Sequence, residues 1–184
     1  PSSTPSREIT TIYRKNMDQN NFSWNATAFF KRLVEKNRLA VDGKFEFRSV
    51  SSLEGFLTAL PGLLSMKGMV AVCDTSDGRL SLDNTPHNRR VKTIYLARRH
   101  KVDSDEEREA AMALLRELFR QFMSVLVQEK IRLEQHAIII DSNIAFQEID
   151  KYFFTGAACA CFHITVSTFT NLAYNQEEWT EPML

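Results

Sequence analysis

The chain has 184 residues, with 23 Lys and Arg against 23 Asp and Glu, so its formal net charge is zero. That balance excludes a generic polycation holding nucleic acid by bulk electrostatics. The absence of an apolar run of about 18 residues excludes a transmembrane helix. With 43% hydrophobic residues, one domain of this length buries a sufficient core without disulfide or metal.

Residues 1–22 are polar, with Pro1, Pro5 and several Ser, Thr and Asn, and show no amphipathic period. They predict a flexible arm that a partner would order. The arm has no apolar stretch of signal-peptide type, so no signal peptide is expected. Residues 23–184 are expected to form a single α+β domain.

Residues 23–39 predict a helix capped by Ser23 or Asn25, with Trp24, Phe29, Phe30, Leu33 and Val34 on its apolar side. Asp42-Gly43 breaks the chain. Residues 44–50 alternate strictly, setting Phe45, Phe47 and Ser49 against Lys44, Glu46, Arg48 and Val50, as a half-buried strand does. Ser51 and Glu54 have capping-box spacing and predict a short helix over 52–60, stopped near Pro61-Gly62. Strands follow at 68–75, at 79–82 after the turn signal Asp77-Gly78, and at 89–99. Ser104 and Glu107 form a second capping box before a long amphipathic helix over 104–132. Its apolar stripe runs through Ala111, Leu114, Leu115, Leu118, Phe119, Phe122, Met123, Val125 and Leu126. Residues 137–149 predict a strand kinked at Asp141-Ser142-Asn143. Residues 152–170 predict another around Gly156, with Phe162, Ile164 and Val166 facing the core. This order predicts a mostly antiparallel sheet, a β-meander plus a closing β-hairpin, backed on one face by the long helix and shorter helices.

Motifs for phosphate cradles, nucleophile elbows and zinc hydrolases are absent. Cys73, Cys159 and Cys161 are odd in number, which argues against a secreted disulfide framework. A metal set of Cys159, Cys161 and His163 would lie along one strand, where side chains point parallel instead of converging. A Cys161–His163 nucleophile pair has no evident orienting group. Asp74, Asp77, Asp83 and Asp141 would be the carboxylates of a nuclease, yet the first three sit where aspartate commonly serves turns.

Two surfaces stand out. Residues 86–101 carry six Lys and Arg and no acid, and Arg89, Arg90, Arg98, Arg99 and Lys101 are candidates for contact with an acidic partner or DNA. Residues 152–175 carry no Lys, Arg, Asp or Glu. Within them Cys159, Cys161, His163, Thr165 and Ser167 make a small, uncharged strand face, a candidate subunit interface covered by another subunit or by the domain's own segments.

The order of elements over 23–179 resembles the tail-terminator and neck (head–tail connector) proteins of tailed bacteriophages, which have relatives in contractile injection systems. The segment FQEIDKYFFTGAACACFHITVSTF looks like that family's closing hairpin, through Phe146, Tyr152, Phe153, Gly156, Phe162, Ile164 and Val166. The longer arm and the helix at 52–60 depart from the compact members. The resemblance implies a non-enzymatic virion structural subunit. It would form a ring, commonly a hexamer, that terminates the tail tube and joins it to the neck, assembled in the host cytoplasm. Its partners would be its own copies and other tail or neck proteins, with DNA passing through the lumen. No cofactor, metal, membrane or small-molecule substrate is implied. The alternatives are a metal-dependent nuclease, a cysteine hydrolase, or a bacterial protein-binding adaptor domain.

Overall fold

The computed structural model of the chain describes residues 24–64, 66–74, 78–149 and 156–181. The arm expected at 1–22 lies outside the described residues. Helix α1 (Ala26–Lys36) starts at Asn25, whose side chain accepts from the Ala28 N–H at 2.8 Å. One helix was expected over 23–39, but the chain makes two. Asn37 has extended backbone, closes α1 through its N–H to the Leu33 carbonyl, and caps α2 (Arg38–Asp42) by accepting from the Ala40 N–H. An asparagine side chain competes well for nearby backbone donors, which is why the break falls there.

Strand β1 spans Phe45–Val50 and helix α3 spans Leu53–Ala59. The α3 cap is Ser52, accepting from the Gly55 N–H at 3.2 Å, one residue beyond the expected Ser51. A 3₁₀ turn over Leu60–Leu64 carries the chain through Pro61 and Gly62 instead of stopping before them. Strands β2 (Gly68–Cys73), β3 (Gly78–Leu80) and β4 (His87–Arg99) precede helix α4 (Asp105–Glu134). Ser104 caps α4 as expected, accepting from the Glu107 N–H at 3.1 Å. The Glu107 carboxylate reaches past Ser104 to the Lys101 N–H, at 3.0 Å, and so ties the β4–α4 connection. At 30 residues, α4 is about 45 Å long. Strands β5 (Ile138–Ile140), β6 (Phe146–Ile149) and β7 (Ala157–Phe169) complete the sheet.

The seven strands form one sheet with the order β1-β2-β4-β7-β5, β3 pairing with β4 and β6 with β7. Every pair is antiparallel except β1–β2, which runs parallel from Phe45 opposite Gly68 to Val50 opposite Cys73. A parallel pair needs a crossover connection, and α3 supplies it. The expectation of helices on one face therefore needs correction: α1 and α4 cover one face, whereas Phe56 of α3 packs on the other. The β3 pairing also differs from the sequence reading. Gly78–Leu80 pairs with Asn88–Arg90, so the turn falls at 81–86. β2 holds positions 93–98 of the same β4 edge, and β3 extends that edge. The kink expected after Ile140 is present: residues 141–145 oppose only 163–165 between the pairs Ile140–Val166 and Phe146–Phe162.

The larger core joins Phe29, Phe30, Leu115, Leu118 and Phe122 to Val70, Val72, Ile94, Leu96, Phe162 and Ile164. The Phe162 ring lies 5.8 Å from Phe30 and 5.0 Å from Phe119. Val125, expected in the α4 stripe, is exposed; the helix is broader than the face the sheet covers. The smaller core, on the opposite face, holds Phe56, Met66, Met69, Ala71, Cys73, Tyr95, Ala97, Cys159 and Cys161. Gly68 and Gly156 are required by position. A Cβ on Gly68 would lie 2.6 Å from the Phe45 ring, and Gly156 turns with φ of +80° into β7.

Candidate functional site

β4 pairs with β7 along 13 residues, from His87 opposite Phe169 to Arg99 opposite Ala157. At about 3.3 Å per residue this puts Arg89 and Arg90 roughly 30 Å from Arg98 and Arg99. The five basic candidates are thus two groups at opposite ends of the sheet, with different surroundings. Arg89 pairs with Asp141 at 2.5 Å. Arg90 is exposed on the other strand face, with no acidic partner among the described residues. Arg98 donates to the Gly43 carbonyl and lies 5.5 Å over the Phe45 ring, and burial holds its pKa below the ordinary arginine value. Lys101 pairs with Glu107 at 3.0 Å, and Arg99 is exposed.

The small-residue face of β7 divides in two. Cys159 and Cys161 are buried in the smaller core by the chain's own elements, under α3 and beside Tyr95 and Ala97. His163 is exposed, while Thr165 and Ser167 are half-buried, so these three form the part of the face open to another molecule. His163 Nδ1 lies 3.0 Å from Thr93 Oγ1. Burial pushes the Cys159 thiol up to about 12 and raises Cys161 as well. A nucleophilic cysteine needs the opposite shift. Asp74 pairs with Lys92 at 2.6 Å, Asp83 accepts from Ser81 Oγ, and Asp141 pairs with Arg89; Asp77 lies outside the described residues. Among the described residues, no group of three or more His, Cys, Asp or Glu is placed to hold a metal ion. No helix among them is long and apolar enough to cross a membrane.

Two exposed apolar pairs escaped the sequence reading. On α3, Leu53 and Leu57 are 51% and 42% exposed beside the buried Phe56. On α4, Val127 and Ile131 are 55% and 52% exposed. Each pair is spaced i, i+4, so its side chains adjoin on one helix face. The signal in the sequence was an apolar set wider than one stripe. The pairs lie on opposite faces of the sheet, because Phe56 and the α4 stripe belong to different cores. The C-terminal segment adds Leu172, Tyr174 and Trp179, all exposed, with the Tyr174 and Trp179 rings stacked at 6.3 Å.

Neither a protein-family model nor a curated protein sequence matches the chain. The α+β class, with a mixed, mostly antiparallel seven-stranded sheet packed on one long helix and shorter helices, rests on the structure itself.

Proposed function

We propose that this chain is a non-enzymatic structural subunit of a phage tail or tail-like injection machine. It forms a ring that terminates the tail tube and joins it to the neck. The observation that carries the reading is the placement of two unlike exposed apolar pairs, Leu53–Leu57 and Val127–Ile131, on opposite sides of the sheet. Two non-identical, complementary surfaces on one subunit generate head-to-tail contacts, and these close into a ring when the rotation allows. The resemblance in element order supplies the class of ring. The open part of β7, at His163, Thr165 and Ser167, and the arm 1–22 are further contact surfaces in this reading.

The test is native mass spectrometry with electron microscopy on the full chain and on Leu57→Glu and Ile131→Glu. The wild type should form closed rings and each variant should not. An equimolar mixture of the two variants should give dimers only, through the one surface pair left intact. Wild-type protein that stays monomeric at high concentration would refute the ring. A mixture that gives no dimer would refute the pairing of these two surfaces.

A further inference from the structure

A cavity of about 410 Å³ with a mixed polar and apolar lining opens at the end of the sheet, on the helix-covered side, where α1 begins. It is lined by Trp24 and Asn25 before α1, Asp74 after β2, Asn88, Arg90 and Lys92 on β4, and Val166 and Thr168 on β7. Its volume falls within the range of small-molecule sites, about 300–1,000 Å³. Lys92 is 8% exposed, and its charge is already engaged: the ammonium sits 2.6 Å from Asp74 Oδ1 and donates to the Asp74 carbonyl at 2.8 Å. Arg90, two residues earlier on the same strand face, has no acidic partner among the described residues. Among the described residues, the lining therefore carries two cations against one carboxylate, a net charge of +1. The first turn of α1 holds no acidic residue to offset the positive end of its dipole.

Apart from the apolar Trp24 and Val166, the remaining groups are hydroxyl and amide. Asn25 uses its oxygen on the Ala28 N–H, so its amide N–H groups remain as donors. Thr168 and Asn88 are cross-strand neighbours. We infer that this cavity binds a small phosphorylated polyol of sugar-phosphate size. The Arg90 fork takes the phosphate oxygens, and Asp74, Asn88 and Thr168 take the hydroxyls. A planar guanidinium matches phosphate oxygens in pairs. A neutral ligand would leave the Arg90 charge unused, and a bare inorganic anion would leave most of the volume unfilled.

The experiment is isothermal titration calorimetry on the full chain with ribose 5-phosphate, inorganic phosphate and ribose. Ribose 5-phosphate should bind saturably and at least about tenfold more tightly than either fragment. Arg90→Gln, at an exposed position, should weaken it about tenfold or more, the equivalent of one charge-assisted hydrogen bond. Arg99→Gln, at the far end of β4, should leave affinity unchanged. Unaltered far-UV circular dichroism of Arg90→Gln separates loss of the site from loss of fold. The assignment is overturned by absence of saturable binding, by equal affinity for inorganic phosphate and the ester, or by indifference to Arg90→Gln.

Discussion

The two faces of the sheet are built differently. The face under α1 and α4 is packed with large rings and branched chains: Phe30, Phe122 and Phe162 are fully buried, and the Phe30 centroid lies 5.9 Å from Phe122 and 5.8 Å from Phe162. Among the described residues, the other face is mostly Ala, Cys and Met, covered by Phe56, whose ring stacks 4.4 Å from Tyr95. The first face holds the larger of the two cores. The second is a thinner layer, covered by the seven-residue α3 and by Leu60, Met66 and Ile149, and regions with fewer buried contacts open locally at lower free energy.

Substitutions can break that comparison, and the largest effect belongs to the thick face. Phe162→Ala should cost about 4 kcal/mol in urea unfolding, since it leaves a cavity among rings that cannot collapse together. Phe56→Ala should cost about 3 kcal/mol globally. It should also make Cys73, Cys159 and Cys161, all buried free thiols in the folded chain, react with Ellman's reagent under native conditions. If Phe162→Ala exposes the thiols as readily as Phe56→Ala does, the two faces are one cooperative layer. Asp74→Ala leaves the Lys92 ammonium 8% exposed without its carboxylate and should cost about 2 kcal/mol.

The thin face also predicts a pH response. The Cys159 thiol titrates near 12 in the folded chain against an ordinary value of 9.0. The folded state thus holds a proton that the unfolded state releases. The associated stability is intact below pH 9 and is lost as pH rises towards 12, by about 1 kcal/mol at pH about 10. Cys159→Ala should flatten that decline. The smallest effect is Ser104→Ala, which removes the α4 cap and should lower stability by about 1 kcal/mol without touching thiol reactivity.

The sequence made the thick face legible and the thin face obscure, for physical reasons. The α4 stripe, the Ser104 cap, the alternation in β4 and β7 and the turn at Gly156 are local patterns set by period and backbone conformation. The parallel pairing of β1 with β2 is not local. Nothing within FEFRSV distinguishes a parallel from an antiparallel neighbour, so the crossover by α3 and its burial of Phe56 could not be read. The shift of the α3 cap from Ser51 to Ser52 reflects two adjacent serines of equal capacity. The basic run at 89–101 was visible, but its division depended on strand length and on partners such as Asp141 and Gly43, distant in sequence. The cavity draws on residues from 24 to 168 and has no signature in any window.

The interruption between β5 and β6 has a consequence for life at high copy number. A long, flat outer strand beside β7 would present an unbroken ladder of free amides and carbonyls, a template for stacking one sheet onto another. Five residues set against three make the outer strand two short pieces of three and four residues, with Asp141 and Asn143 at the break. A subunit of the proposed ring, which would meet its own copies only through chosen surfaces, would gain from this. The β5–β6 border of its sheet is too fragmented to seed a fibre, which would leave copies free to find the contacts that close the proposed ring.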